Sequence, residues 1–166
     1  SDLTAQQAGE SFAQLSNALG VPISKIKNLS STFTALASST TASEKTLVNY
    51  VQRLAGAGTT LGLTTAQIAG IGATLKDVGL TAELSSTAMS QVFIKLLTDS
   101  KKITSVLGLD YKEFSKSIKE EPIQALNLFL ATLGKLDKYS KVKALKAMKM
   151  QGAGLSSTLL KLSSNT

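Results

Sequence analysis

The chain has 166 residues, 18 basic and 11 acidic side chains for a net charge of +7, and no His, Cys or Trp. A length of this order suits one domain with a substantial core. The missing residue types exclude disulfides, cysteine nucleophiles, histidine general bases and zinc sites built on His or Cys.

The apolar residues include 26 Leu and 19 Ala against only 15 Val plus Ile, and the chain has two prolines. Leu and Ala favour helices, whereas β-branched residues favour strands. The expected fold is therefore all-α: a compact, irregular bundle of about nine or ten short helices joined by glycine corners.

In chain order, Phe12, Leu15 and Leu19 mark a first helix, closed by the corner Leu19-Gly20-Val21-Pro22. Ile26, Leu29, Phe33 and Leu36 continue at helical spacing. Thr41 with Glu44 reads as a capping box ahead of a helix carrying Leu47, Val51 and Leu54. A second corner, Leu61-Gly62-Leu63-Thr64, leads through the Thr64–Gln67 capping box into Ile68, Ile71, Leu75 and Val78. Val78-Gly79-Leu80-Thr81 is the third corner, followed by a broad apolar face over 82–98 that includes Met89, Val92, Phe93 and Leu96. A short helix over 101–107 precedes the fourth corner, Leu107-Gly108-Leu109-Asp110, and Asp110 with Glu113 starts the next helix, over 110–119. Pro122 opens the helix of Ile123, Leu126, Leu130 and Leu133, and the pattern predicts two last helices over 140–150 and 154–163.

All four corners share one form: apolar, Gly, apolar, helix starter. Glycine suits the left-handed position just past a helix end. The apolar residue after it can pack back on the last turn and staple onto the next helix. The corner glycines are separated by 42, 17 and 29 residues, so no fixed repeat period exists.

Residues 54–75 form an uncharged stretch of 22 residues, long enough for one membrane span. Only half of it is apolar and a helix stop and restart lies at Leu61–Thr64, so two closely packed helices with small residues at their contact are expected. Residues 28–43 are also uncharged.

No arrangement for catalysis emerges. Gly56-Ala57-Gly58-Thr59-Thr60-Leu61-Gly62 lacks the spacing and the preceding strand of a dinucleotide loop, and Gly134-Lys135 is followed by Leu136 rather than by a hydroxyl residue. Glu120-Glu121 lie at a helix start, where the helix dipole favours negative charge. Asp99, Asp110 and Asp137 lie singly at helix ends, as caps do. No metal, cofactor or small-molecule substrate is expected, and the chain reads as a protein that is not an enzyme.

Charge is unevenly placed: residues 1–83 balance to zero, so residues 84–166 hold the whole excess. Lys143, Lys146 and Lys149 step by three along a helix, and Lys135, Lys138 and Lys141 extend the positive region. These six lysines are the candidate interaction face. Tyr139 is the one nearby aromatic and Arg53 the one arginine, which argues against sequence-specific DNA reading but leaves non-specific phosphate contact open.

The ordered set of corners and small-residue helices resembles the N-terminal core region of bacteriophage tail tape measure proteins. The resemblance runs from about residue 28 to 164. It is carried by the run Leu29–Ser43 leading into Leu54-Ala55-Gly56-Ala57-Gly58, by Leu63–Leu75, and by Val78-Gly79-Leu80-Thr81-Ala82-Glu83. Ser85-Ser86-Thr87-Ala88-Met89, Leu107-Gly108-Leu109, Phe114 and the late Gly152-Ala153-Gly154-Leu155 turn complete it. One departure is Ser85-Ser86, where the family more often has Ala-Gly.

The resemblance implies a structural protein of a phage or prophage. Such chains are very long and largely helical, the tail tube assembles around them, and their length sets tail length. It implies a place in the lumen of the virion tail, and in the bacterial cytoplasm during assembly. The implied partners are other tail proteins: tube, tip and assembly chaperones. It carries no catalytic residue to this region. Residues 1–166 are expected to be a single helical domain from a much longer chain, with 1–38 as a leading helix pair and 39–166 as its core. Two other readings stay open: a membrane-active domain acting on the host envelope, and a non-specific nucleic-acid binder.

Overall fold

The computed structural model describes residues 4–165. Among them lie eleven helices: α1 (Ala5–Leu19), α2 (Ile23–Lys27), α3 (Ser30–Ser39), α4 (Glu44–Leu61), α5 (Thr65–Asp77), α6 (Ala82–Thr98), α7 (Ser100–Leu107), α8 (Tyr111–Glu120), α9 (Pro122–Gly134), α10 (Lys138–Ala147) and α11 (Ala153–Ser163). All but α2, a five-residue turn and a half, are eight residues or longer. The all-α bundle of short helices read from the sequence is the fold observed.

Helices α4 and α6 form its centre. Helix α4 packs against α1, α3, α5 and α6, while α6 also touches α5, α7 and α11. Helix α9 lies against α8, α10 and α11. A single apolar cluster runs from Leu15 and Ile26 through Leu54, Met89 and Phe93 to Phe129 and Leu159. Tyr50, Phe93, Phe114 and Phe129 are its largest fully buried side chains.

The four glycine corners close as expected, with Gly20, Gly62, Gly79 and Gly108 at φ +63, +94, +75 and +69. In each, the residue after the glycine donates its N–H to a carbonyl five residues back: Val21 to Ser16, Leu63 to Gly58, Leu80 to Leu75 and Leu109 to Thr104. This bond satisfies a carbonyl left over at the helix end and pins the apolar residue on the last turn. Leu63 and Leu80 are buried there.

The uncharged 54–75 stretch is broken at Gly62 into two packed helices, α4 and α5. No helix among the described residues is long and apolar enough to cross a membrane. Small residues let the two helices and their neighbours approach closely. A Cβ built on Gly58 would meet the Ile68 side chain at 2.7 Å, and one on Gly72 would meet Tyr50 Cβ at 2.6 Å.

Capping follows the sequence in part. Thr64 and Gln67 form the complete reciprocal box, and Asp110 accepts from the Glu113 N–H at 2.7 Å. A further complete box, Thr4 with Gln7, starts α1. The Thr41–Glu44 box is replaced. Ser43 caps α4, and Thr41 instead donates both its N–H and its hydroxyl to Asp77 Oδ1, at 2.8 and 2.7 Å. A tertiary partner thus wins over a local cap, and it ties the start of α4 to the end of α5.

Candidate interaction face

The lysine-rich region is built around α10. Helix α9 ends at Gly134, and Asp137 then caps α10, accepting from the Ser140 N–H at 3.0 Å and from the Ser140 hydroxyl at 2.6 Å. Those bonds hold the Asp137 carboxyl below its ordinary range. From Lys138 to the end of the sequence there are six lysines and no acidic residue, so the local field is positive.

The helix turns its residues in a way that the lysine spacing did not anticipate. Ala144, Leu145 and Met148 are buried, and so is Lys141, at 9% exposure. Lys141 therefore leaves the candidate face; its aliphatic stem is part of the packed side. Tyr139 and Val142 point outward instead, at 72% and 52% exposure. Lys143 and Lys146 are exposed beside them, and the Lys143 ammonium stands 5.3 Å from the centroid of the Tyr139 ring. That cation–π contact fixes the two side chains relative to each other. Tyr139, Val142, Lys143 and Lys146 thus follow one another at i, i+3, i+4 and i+7 on the outer side of α10, with exposed Lys135 and Lys138 near its start.

Lys149 is exposed but is not on the helix. Helix α10 ends at Ala147, and Lys149 has φ +54, the one positive φ of a non-glycine residue among those described. Its N–H donates to the Lys146 carbonyl at 3.0 Å and the next N–H, of Met150, to the Leu145 carbonyl at 2.8 Å. This is a fifth corner of the same kind, with Met148 and Met150 as its buried apolar residues and a lysine in the glycine position. No glycine marks this corner in the sequence. The apolar–X–apolar frame of Met148-Lys149-Met150 was the available signal.

Lys95 fastens this corner to the rest of the bundle. Its ammonium donates to Asp99 Oδ2 at 3.0 Å and to the Met148 carbonyl at 3.4 Å, linking α6 to the end of α10. The Lys95 bond, helped by the Thr98 hydroxyl and by the charges of Lys95 and Lys149, lowers the Asp99 pKa. Asp99 thus serves as an ion-pair partner rather than as a side-chain cap of α7.

Two basic groups that line a cavity on α6 are engaged. A shallow cavity of about 680 Å³ along α6 is lined by Arg53, Thr87, Ser90, Gln91, Ile94 and Lys95. Arg53 donates to Glu83 at 3.0 Å and to Asn49 at 2.9 Å, while Lys95 is held as described. Among the described residues no group of three or more acidic side chains could hold a metal ion. Glu120 pairs with Lys116 at 3.8 Å, and Glu121 lies at the N-terminal end of α9.

A family model described as phage-related minor tail protein matches residues 1–150. Neither a curated protein nor a solved structure matches the chain significantly.

Proposed function

The chain belongs to the phage-related minor tail protein family, and from that premise we propose that it is a helical domain of a tail tape measure protein. The match over residues 1–150 carries this reading, because it spans α1 to α10 and so takes in nearly every packed element. The corner glycines, the small-residue contacts between α4 and α5, and the exposed lysines of α10 all fall within it.

The mechanism is non-covalent. Residues 1–166 act as one packed unit of a longer chain that lies in the lumen of the tail tube and is assembled in the bacterial cytoplasm. Tube subunits, tail tip proteins and assembly chaperones are the partners. Lys135, Lys138, Lys143, Lys146 and Lys149 supply the contact face. No substrate is turned over and no cofactor is used. The chemistry offered by the paired Arg53, Lys95 and Asp99 is structural.

Electron microscopy of tails assembled with parent chains of altered length tests the proposal. A helix rises about 1.5 Å per residue, so removing about 100 helical residues outside this domain shortens the tail by about 150 Å. Tails of unchanged length after such deletions would overturn the measuring role.

A further inference from the structure

We propose that the outward stripe of α10 is a docking seam for an acidic, amphipathic helix of a partner protein. That the partner is another tail protein rests on the functional reading above; the chemistry of the seam does not.

The first ground is spacing. Tyr139, Val142, Lys143 and Lys146 stand at i, i+3, i+4 and i+7, the pattern with which one helix meets another. Two of the four are large apolar or aromatic side chains left more than half exposed, while the same short helix buries Lys141. A helix whose only role was to cover the core would turn the valine inward and the lysine outward.

Charge then selects the occupant. The seam and its margins carry lysines, and the nearest carboxylates are already used: Asp137 caps α10 and Asp99 pairs with Lys95. A second copy docking by the same face would set Lys143 and Lys146 against themselves, so self-association here is opposed. Nucleic acid fits less well than acidic protein. The face has no arginine, Val142 offers nothing to a phosphate, and the Lys143 ammonium already stands over one side of the face's own aromatic ring, Tyr139. A helix with an apolar stripe flanked by Glu or Asp uses every group present.

Lys149 adds an independent observation. Its left-handed backbone is the position that glycine fills in the four sister corners. An L-residue there is disfavoured, so the lysine side chain occupies a place that glycine would take at no cost, and its charge also acts on Asp99. Lys149 is exposed and adds a positive charge just beyond the end of α10.

The test is fluorescence anisotropy with labelled probes on the intact chain. One probe is a Leu/Glu helix of about 18 residues, five turns, with a continuous apolar stripe. The others are a peptide of the same composition with the stripe scrambled, and a single-stranded and a duplex DNA. The striped peptide is expected to bind about tenfold tighter than the scrambled one. Its affinity should drop about tenfold in Tyr139→Ala, in Val142→Ser and in the Lys143→Glu/Lys146→Glu pair. The same charge change at exposed Lys25 and Lys27 should leave it unaltered. Circular dichroism confirms that each variant keeps its helices. Equal binding of the two peptides, tighter binding of either DNA, equal loss in the Lys25/Lys27 variant, or no binding at all overturns the proposal. Each of these results leaves the tail-length experiment standing, and fixed tail length would leave the seam standing.

Discussion

Gly72 of α5 and Tyr50 of α4 meet so closely that a Cβ built on the glycine would lie 2.6 Å from the Cβ of the tyrosine. Tyr50, 1% exposed, extends its hydroxyl to the Leu80 carbonyl, donating at 2.5 Å. One small residue thus sets the spacing of two helices and lets a third element, the Gly79 corner, be tied to α4.

Alanine substitutions at four helical glycines should separate by sign. Gly72→Ala forces Tyr50 or the helix backbone to shift and should cost about 1–3 kcal/mol. Gly58→Ala meets Ile68 Cδ1 and Cγ1 at 2.7 and 2.9 Å, atoms beyond a Cβ that a side-chain rotation can move, and should cost less. Gly56 and Gly70 have open space around a new Cβ, so alanine there should stabilise by about 0.5–1 kcal/mol through helix propensity alone. Urea unfolding midpoints give the ranking; equal effects at Gly72 and Gly70 would contradict the close approach.

Ser86 and Ser85 make a second pair with opposite expectations. Ser86 Oγ is buried without a hydrogen-bond partner, whereas Ser85 Oγ donates to the Thr81 carbonyl at 2.5 Å. Ser86→Ala removes an unsatisfied hydroxyl and should raise stability by about 1 kcal/mol, while Ser85→Ala should lower it by about 0.5–1 kcal/mol. Thermal or urea unfolding of the two single variants decides it.

The glycine corners, the faces of the longer helices and the division of 54–75 were legible because each depends on a few adjacent residues. Gly62 alone dictates a left-handed closure, and Leu63 follows it into the core. What stayed hidden depends on partners far along the chain. Thr41 is drawn away from its local cap by Asp77, 36 residues on. The lysine ridge misled for a geometric reason. Residues three apart drift by about 60° around a helix, so the step from Lys138 to Lys141 along α10 runs off the exposed side. Lys141 lands beside Leu145 and Met148 on the packed face.

Three carboxylates predict the acid side of the stability profile. Asp77, Asp99 and Asp137 are each held below their ordinary value of 3.8, by Thr41, Lys95 and Ser140 respectively. A lowered pKa in the folded chain contributes stability that is present above the unfolded value and is lost as pH falls through the folded one. The urea midpoint should therefore decline below about pH 4. Asp77→Asn should be less stable than the parent at neutral pH, with the difference closing in acid. Burial shifts the Tyr50 phenol the other way, up from 10.0, against the pull of Ser85. Its contribution is full below pH 10.0 and is lost as pH rises from there through the higher folded value, so a second decline should begin near pH 10.0 and be absent in Tyr50→Phe.

Lys149→Gly sets folding against contact. Both corner hydrogen bonds, Lys149 to Lys146 and Met150 to Leu145, are made by backbone groups, so glycine keeps them. The substitution relieves a left-handed L-residue, worth about 1–2 kcal/mol, but gives the unfolded chain more freedom. A net gain of about 0.5–1 kcal/mol is expected. Lys149→Ala keeps the strained backbone and removes the ammonium with its aliphatic stem, so apart from a small loss of its charge on Asp99 it should leave stability near that of the parent. If the lysine is there for the seam, both variants should bind the striped acidic peptide more weakly, and to a similar degree, although only one of them folds better. Stability rising in Lys149→Gly with peptide affinity unchanged in both would mean that the side chain serves neither the fold nor the seam. Unfolding curves and anisotropy titrations on the same two proteins separate these outcomes.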